Sequence, residues 1–480
     1  MCLLRQAGEE AGILGTCILN MVLKLPENVK KIIHTLQDAG FEAYAVGGCV
    51  RDALLGREPD DWDITTSALP EQVKGLFART IDTGLQHGTV TVLFRAGKDS
   101  WDTYEVTTFR IDGVYEDARH PKDVTFTPSL REDLKRRDFT INAMAYNETV
   151  GLVDCFDGLS DLKNKQIRCV GEAKERFTED ALRMMRAVRF AAQLGFSVVP
   201  DTLAQIKALA PRLSMISAER IQTELVKLLV SDHPEKMETL YQCGLTDVFL
   251  PEFSALMKTP QNSRHHGENV GEHTIESLRH VRADKVLRLA MLFHDIAKPL
   301  CRTTDENGED HFHGHPQIGA EMTKKILRRL KFDNDTTRRV VNLVRLHDER
   351  VFRLEENGSD QKQLRTVRRA ISRNGEDVYP DLFAVMRADI LAQSAYMRSE
   401  KLARVDGYER LWREVLLKKQ CLSVKDLAVD GSDLIAQGIP SGPAIGQILH
   451  AMLEDVLDEP ERNNREYLLG HLEKYQKDDL

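Results

Sequence analysis

The chain has 480 residues, of which 42% are hydrophobic and 29% charged, with a formal net charge of −9. At roughly 150 residues per domain this is ordinary globular material for about three domains, and no apolar run approaches the roughly 20 residues that cross a bilayer, so no membrane partner is expected. The acidic balance argues against nonspecific nucleic-acid binding by the whole molecule, but local basic stretches at 131–137 and around Arg183, Arg186 and Arg189 leave room for phosphate contacts.

Residues 1–20 contain Glu9 and Glu10 and lack a small-residue cleavage site, so they read as an upstream start or a loose extension rather than a signal peptide. Residues 27–39 read as an amphipathic helix ended by Gly40. Residues 41–46 read as a strand, and Gly47-Gly48 turns the chain into a second helix. Strands are expected over 61–65, near 88–94 and near 101–109, followed by a polar loop over 110–122. Beyond about 155 the strand signals fade. Thr178 reads as the N-cap of a long helix that ends at Gly195, and the remainder is mainly helical. The cysteines include no CxxC pair, which excludes a disulfide framework or zinc-thiolate site and fits a reducing, cytoplasmic setting.

The segment GGCVRDALLGREPDDWDI, 47–64, carries the first chemistry. Two glycines before a helix let the backbone approach a triphosphate, and the free N–H groups favour anionic oxygens. Asp61 and Asp63, two apart on a strand, would share one face. Adjacent carboxylates repel unless a cation lies between them, and Mg²⁺ takes such oxygen ligands. A bare DxD is more often an acidic turn; its place a dozen residues after the glycines, at the end of a strand, makes the metal reading much more specific. Asp60 would point away into solvent. A two-metal site needs a third carboxylate, for which Glu105, in YEVTTFR, is the candidate. On spacing alone Glu105 is equally an exposed edge-strand residue.

The 47–64 segment resembles motif A of the class II tRNA nucleotidyltransferases and bacterial poly(A) polymerases, members of the polymerase-β-like superfamily. RRDFTINAMA at 136–145, DGLSDL at 157–162, EDALRMMRAVRFAAQLGF at 179–196 and SAERIQTEL at 217–225 are similar to the later motifs, in order. The resemblance implies an α+β fold: a polymerase-β-like head with a mixed sheet and helices at 22–155, then a mainly helical neck at 156–230. It also implies transfer of CMP and AMP from CTP and ATP to the 3′ end of tRNA without a nucleic-acid template. The tRNA 3′-hydroxyl would attack the α-phosphate in line, with two Mg²⁺ at Asp61, Asp63 and Glu105.

Nucleotide contacts are expected from Gly47, Gly48, Arg51, Arg137, Asp138, Asn142, Asp180, Arg183, Arg186 and Arg189, with Arg136 a further phosphate contact. Asp138 and Asn142 would brace the sugar or the site wall. Asp180 and Arg183, at i and i+3 on one helix, would be neighbours. A carboxylate accepts and a guanidinium donates, which matches the amino group and ring nitrogen of cytosine and adenine and opposes those of uracil and guanine. Without the motif this pair would be an ordinary surface ion pair. Glu179 and Arg186 would support the helix or touch phosphate. The loop 110–121 carries Asp112, Gly113, Tyr115, Asp117 and Arg119, as in members that add the complete CCA; His120 stands where a second arginine is common.

A second constellation follows. His294-Asp295 lies inside the apolar run LRLAMLFHDIAK, where a buried charge needs a partner such as a metal. His273 lies upstream, and His315, His347-Asp348 and Asp389 lie downstream. Each histidine taken alone is more often a satisfied core or surface residue. The ordered series resembles the HD phosphohydrolase superfamily, whose domain occurs in some CCA-adding enzymes. This implies a domain at 231–395 in which His273, His294, Asp295 and Asp389 ligate one divalent transition metal (Mn, Fe, Ni or Zn) and His315 and His347 build a second site. His265 and His266 precede it without an assigned role. A helical tail, 396–480, would pack on tRNA or only stabilise the chain. A poly(A) polymerase and an HD phosphohydrolase as the main activity are the alternatives, and the oligomeric state stays open.

Overall fold

The computed structural model describes residues 11–12, 16–19, 21–113, 124–264, 267–348 and 360–476. Contacts divide the chain into two compact units, Met1–Ser254 and Ala255–Leu480. That division falls beyond the neck boundary expected at 230.

The first unit opens with the helix Glu27–Asp38, which buries Val29, Ile32, Ile33 and Leu36. This is the i, i+3, i+4, i+7 stripe of an amphipathic helix. Gly40, at φ 87°, then reverses the chain. The strand Ala43–Val46 is buried throughout and lies within a nine-stranded sheet. On one side it pairs antiparallel with Met144–Asn147, and that strand with Gly151–Asp154. On the other side lie Ile64–Thr66, Trp101–Thr108, Thr89–Arg95 and Thr80–Gly84. Ile64–Thr66 and Trp101–Thr108 run parallel; the other pairings are antiparallel, so the sheet is mixed. Backbone segments Ala11–Gly12 and Thr16–Leu19 extend its far edge beside Gly151–Asp154. The expected loose extension therefore contributes paired backbone.

Three local expectations change. The strand predicted over 61–65 begins only at Ile64, so Asp61 and Asp63 stand on its lead-in rather than within it. The expected loop at 110–122 contains a strand, Arg110–Asp112, paired with Val124–Phe126; Tyr115, Asp117, Arg119 and His120 lie outside the described residues, as do His265 and His266. The long helix does not start at Thr178. A separate helix, Ala173–Glu179, ends there, Asp180 is extended at φ −136°, and the helix Leu182–Leu194 follows. Thr178 instead donates to the Lys174 carbonyl inside the first helix. Asp180 accepts from the Leu182 amide at 3.0 Å, satisfying one of the unpaired donors at the new helix start. Gly195, at φ 69°, ends that helix as expected.

The second unit is built mainly of helices. Lys285–Phe293 buries every residue from Val286 through Phe293, including Arg288, whose guanidinium donates to the Arg282 carbonyl at 3.3 Å. Its start is capped by Asp284, which accepts from the Val286 and Leu287 amides. Asn269 and Glu272 form a capping box on Val270–Arg279, and Asp333 caps Asn334–Leu346. Tyr379 and Phe383 pack with Tyr408 and Trp412 between the helices Tyr379–Ala392 and Arg398–Leu417. The tail core gathers on Pro443–Asp458, whose last carbonyls accept from Arg368 at 2.6 and 2.9 Å.

The 157–162 segment is anchored by Asp154, which accepts from the Gly158 and Leu159 amides at 2.9 and 2.8 Å. Asp161 accepts from the Thr140 hydroxyl at 2.7 Å, joining this turn to the 136–145 motif. A methyl group at Gly158 would overlap the Thr140 carbonyl oxygen. Gly158→Ala should therefore lower stability by about 1–3 kcal/mol, seen as a lower urea midpoint for the first unit; an unchanged midpoint would refute the close approach.

Candidate active site and metal centre

Gly47 adopts φ 86°, ψ −132°, and the helix Gly48–Leu54 starts directly after it. A Cβ at Gly47 would lie 3.0 Å from an Arg137 guanidinium nitrogen, so glycine is needed both for backbone angle and for space. This turn opens a cavity of about 480 Å³. Its lining includes Arg51, Asp63, Arg137, Asp138 and Asn142 from the head, and Asp180, Arg183, Arg186 and Arg189 from the neck. Asp61 and Glu105 are not among the lining residues. They belong to the adjoining carboxylate group: Ile64 pairs with Val106, which sets Asp63 level with Glu105 on the neighbouring strand.

The carboxylates repel one another. Crowding by surrounding protein raises the Asp63 pKa, the Arg137 charge opposes this, and the Asp61 charge adds to it. Glu105 is raised by partial burial and then by the charges of Asp63 and Asp61. All three side chains nevertheless keep access to solvent. Among the described residues these three do not bring their ligand atoms within 4.8 Å of one another; they are solvent-reachable oxygen donors whose mutual repulsion a hard divalent cation would relieve.

Each cavity arginine is held by a carboxylate or amide. Arg51 donates to Asn142 at 2.6 Å and to Asp52. Asn142 donates to Asp138 at 3.2 Å. Arg186 grips Asp138 at 2.6 and 2.8 Å, which makes Asp138 and Asn142 part of the site wall. Arg189 donates to Glu224 at 2.8 Å and lies 3.6 Å over the Phe190 ring. Asp133, fully buried, pairs with Arg136 and Arg137 and accepts from Thr65, tying these arginines to the strand that follows the DxD.

The expected Asp180–Arg183 pair is not formed. Asp180 takes an extended backbone at the junction while the Arg183 amide still donates to its carbonyl at 3.0 Å, and each side chain finds another partner. Asp180 pairs with Arg220 at 2.7 Å, and Arg183 with Glu179 at 2.6 Å. Arg183 also donates to the Arg136 carbonyl. Both side chains still line the same cavity. Sequence reasoning missed Arg220, Glu224 and Asp133. The 217–225 motif contains the first two without marking their partners. Asp133 precedes Arg136 and Arg137 by the i+3 and i+4 helical spacing, which was a usable signal.

In the second unit, ligand atoms meet in two groups whose members all lie within 4.8 Å of one another: His273, His294 and Asp389, and Asp295, His315 and His347. His273 Nε2 lies 2.9 Å from Asp389 and 3.3 Å from His294 Nε2. His315 and His347 approach at 3.2 Å through Nε2. Asp295, expected with the first group, is shared. One oxygen is 3.2 Å from His294 and the other 3.4 Å from His315. The Nδ1 atoms of His294, His315 and His347 each lie 2.7 Å from a backbone carbonyl, which directs Nε2 inward, as in metal-bound imidazoles. Burial, and for His347 the His294 charge, pushes His315 and His347 down to about 4, leaving them neutral near pH 7. These features fit a divalent metal that accepts nitrogen and oxygen donors.

Asp138 gives a measurable consequence. Burial opposes its ionisation, but Arg186 and then Arg183 and Asn142 hold its pKa down at about 2. Its folded pKa is therefore below the unfolded value, so its contribution to stability is complete above about pH 4 and is lost as pH falls through about 2. Asp138→Asn should cost about 1–3 kcal/mol near neutral pH by removing the charge that grips the part-buried Arg186. That deficit should narrow at about pH 3, as measured by urea unfolding at both pH values. A deficit independent of pH would rule out this electrostatic role.

Residues 43–168 match the poly A polymerase head domain, 195–257 the probable RNA and SrmB-binding site of polymerase A, and 262–393 the HD domain. The CCA-adding enzyme of Lactiplantibacillus plantarum is 35% identical over 441 residues, covering 92% of this chain and 94% of that protein. The Levilactobacillus brevis enzyme is 54% identical over 222 residues, 46% of this chain and 53% of its own length, so that match spans about half of the relative. The crystal structure of Bacillus stearothermophilus CCA-adding enzyme in complex with CTP shares 31% identity and a TM-score of 0.66, covering 94% of this chain and 98% of that one. The chain belongs to the family of CCA-adding enzymes.

Proposed function

We propose that this chain is a tRNA nucleotidyltransferase that builds the 3′-terminal CCA from CTP and ATP without a nucleic-acid template. The observation that carries this reading is the single cavity lined by the Gly47-Gly48 turn, Asp63, Asp180, Arg183 and a wall of paired arginines. The Bacillus stearothermophilus relative is a CTP complex. The segment 195–257, similar to an RNA-binding model, and the helical tail are the proposed tRNA contacts. Its place is with the tRNA pool of the cytoplasm.

Gly47 and Gly48 admit the triphosphate against the helix start. Arg137 and Arg136 neutralise its oxygens, and Arg51 and Arg186 hold the wall behind it. Divalent cations at Asp61, Asp63 and Glu105, magnesium first, would supply the charge that lowers the 3′-hydroxyl pKa and stabilises departing pyrophosphate. The hydroxyl oxygen bonds to the α-phosphorus, the bond to pyrophosphate breaks, and the hydroxyl proton leaves to solvent.

For base choice, Asp180 accepts from the amino group of cytosine or adenine and Arg183 donates to the adjacent ring nitrogen. Each must turn from its resting partner, Arg220 or Glu179. Uracil and guanine would set acceptor against acceptor and donor against donor, which a desolvated site rejects strongly.

The second unit supports a second reading. Four imidazoles and two carboxylates converge on one buried centre, consistent with a divalent transition metal such as Mn, Fe, Ni or Zn. We infer that this centre hydrolyses phosphate esters: water oxygen bonds to phosphorus, the ester P–O bond breaks, and the leaving alcohol takes a proton.

Extension of a tRNA transcript lacking CCA tests the main reading. CTP alone should add two C residues, and CTP with ATP should complete CCA. Long A tails would indicate a poly(A) polymerase, and no incorporation would shift the function to the HD centre. Asp63→Ala should slow extension at least about 100-fold at an unchanged unfolding midpoint. Asp180→Ala should raise the relative use of UTP and GTP in single-nucleotide assays; unaltered selectivity would remove Asp180 from base reading.

A further inference from the structure

The sheet of the first unit carries the transferase carboxylates at one end of an open face. Ile81 pairs with Thr91 and Thr91 with Glu105. Glu105 is level with Asp63, so these side chains form one row on one face. The next row holds Leu93 and Thr103, with Arg79 beside Leu93, whose amide donates to the Arg79 carbonyl at 3.1 Å. Arg95 and Trp101 form the row after that. At ordinary strand spacings Ile81 lies about 10 Å from Glu105 across the sheet, and Trp101 about 14 Å from it along the strand. The opposite face is covered: Val90, Val92 and Val106 are buried, and Asn28 of the helix Glu27–Asp38 donates to Tyr104 at 3.4 Å. On the carboxylate face Ile81 is 50% exposed and Trp101 38%, and Thr103 is exposed.

Charge is sorted between the two faces. The Arg79 guanidinium lies 4.1 Å over the Trp101 ring, its partner among the described residues. Arg95 donates to the Gly97 and Lys98 carbonyls at 3.2 and 3.1 Å, which do not cancel its charge. Apart from Glu105, the acids of these strands belong to the covered face: Asp82 accepts from Lys74 and Asp102 from Asn28, each at 3.2 Å. An aromatic ring with a stacked guanidinium takes nucleobases of any sequence, and neighbouring cations meet the phosphates between them. Position selects the occupant. An RNA whose 3′-hydroxyl reaches Asp61, Asp63 and Glu105 must lay its preceding unpaired nucleotides on an adjoining surface, and this face is continuous with those carboxylates. A second copy of the chain would set two positively charged faces against each other.

We propose that the open face of the strands Thr80–Gly84, Thr89–Arg95 and Trp101–Thr108 is the docking platform for the single-stranded 3′ end of the acceptor RNA, with Ile81 and Trp101 under its bases and Arg79 and Arg95 at its phosphates. This rests on the transferase reading of the carboxylates. The platform reads no sequence, because every base offers a ring face, and it leaves nucleotide choice to the cavity. None of the four residues touches the reacting atoms; they position the RNA.

The test uses the full chain with an acceptor-stem RNA duplex carrying a short single-stranded 3′ overhang, the same duplex cut blunt, and a tRNA transcript lacking CCA. Binding of 5′-labelled duplex is followed by fluorescence anisotropy without nucleotide. The parent should hold the overhang duplex more tightly than the blunt one; equal affinities would overturn the proposal. Trp101→Ala and Arg79→Ala should weaken the overhang duplex at least about fivefold and leave the blunt duplex unchanged, with Trp101→Phe near the parent. In tRNA extension both alanine variants should raise KM for tRNA by a similar factor, at unchanged kcat and unchanged KM for CTP. Unfolding midpoints should match the parent, and Arg79→Ala carries the test if Trp101→Ala does not fold. Alanine variants that bind the overhang like the parent, or that lose both duplexes equally, would remove the platform. So would a parent dimer that Trp101→Ala dissociates in sedimentation while overhang affinity holds, which would make the face an interface between copies. If the parent extends tRNA and the variants match it, the platform alone falls. If the parent extends no tRNA but prefers the overhang through Trp101, the transferase reading falls and the RNA platform stands.

Discussion

Like-charge crowding governs the first unit. Several guanidinium groups share one cavity in a protein whose overall charge is −9. Such a cluster is stable only if each charge is met nearby, because burying an isolated ion costs several kcal/mol. Asp133, Asp138, Glu179, Asp180 and Glu224 meet that demand. They come from the head and the neck, so the ion pairs also fix those segments against each other. Phe190 supplies an aromatic face between Arg51, Arg186 and Arg189. A nucleotide bound as proposed would find the wall arginines already oriented, which would limit the reorganisation required there.

The same physics works in reverse at the HD centre. Here the crowded groups are imidazoles and carboxylates, brought together at helix ends. His294 and His347 directly follow the helices Lys285–Phe293 and Asn334–Leu346, and His315 begins His315–Arg329. Capping by Asp284 and Asp333 sets where the first two helices start, and backbone carbonyls hold the outward ring nitrogens. Asp295 carries the most demanding burden. It stands between both ligand groups and also pairs with Lys298 at 2.7 Å, so opposing charges on several sides keep its carboxyl ionised despite burial.

Asp180 and Arg183, the proposed base-facing residues, stand in a resting arrangement. Asp180 and Arg183 are both present, yet each is neutralised by a different neighbour. An exchange of ion-pair partners costs less than exposing two bare charges, since in the proposed reading each broken contact would be replaced by a hydrogen bond to the incoming base. The extended backbone at Asp180 separates the helices Ala173–Glu179 and Leu182–Leu194 and gives its carboxylate access to both the Leu182 amide and Arg220.

Much of this protein could be read along the chain. The apolar stripe of Glu27–Asp38, the buried strand before Gly47, the carboxylates beyond it and the His/Asp series all rest on local periodicity or on residue chemistry at short spacing. So does the C-terminus of the long helix at Gly195, where a left-handed residue is required. The start of that helix was misread because helical periodicity continues through 178–181 while Asp180 interrupts the backbone. The strand at 64–66 was set too early because alternation in Asp61–Asp63 resembles pairing that only a neighbouring strand can provide. Tertiary structure alone decided that Asp180 meets Arg220, that Glu224 meets Arg189, and that Asp295 is shared between two ligand groups. These partners lie tens of residues apart or on separate helices. Sequence determines which groups carry charge and where the chain turns; which charges meet depends on how the elements pack.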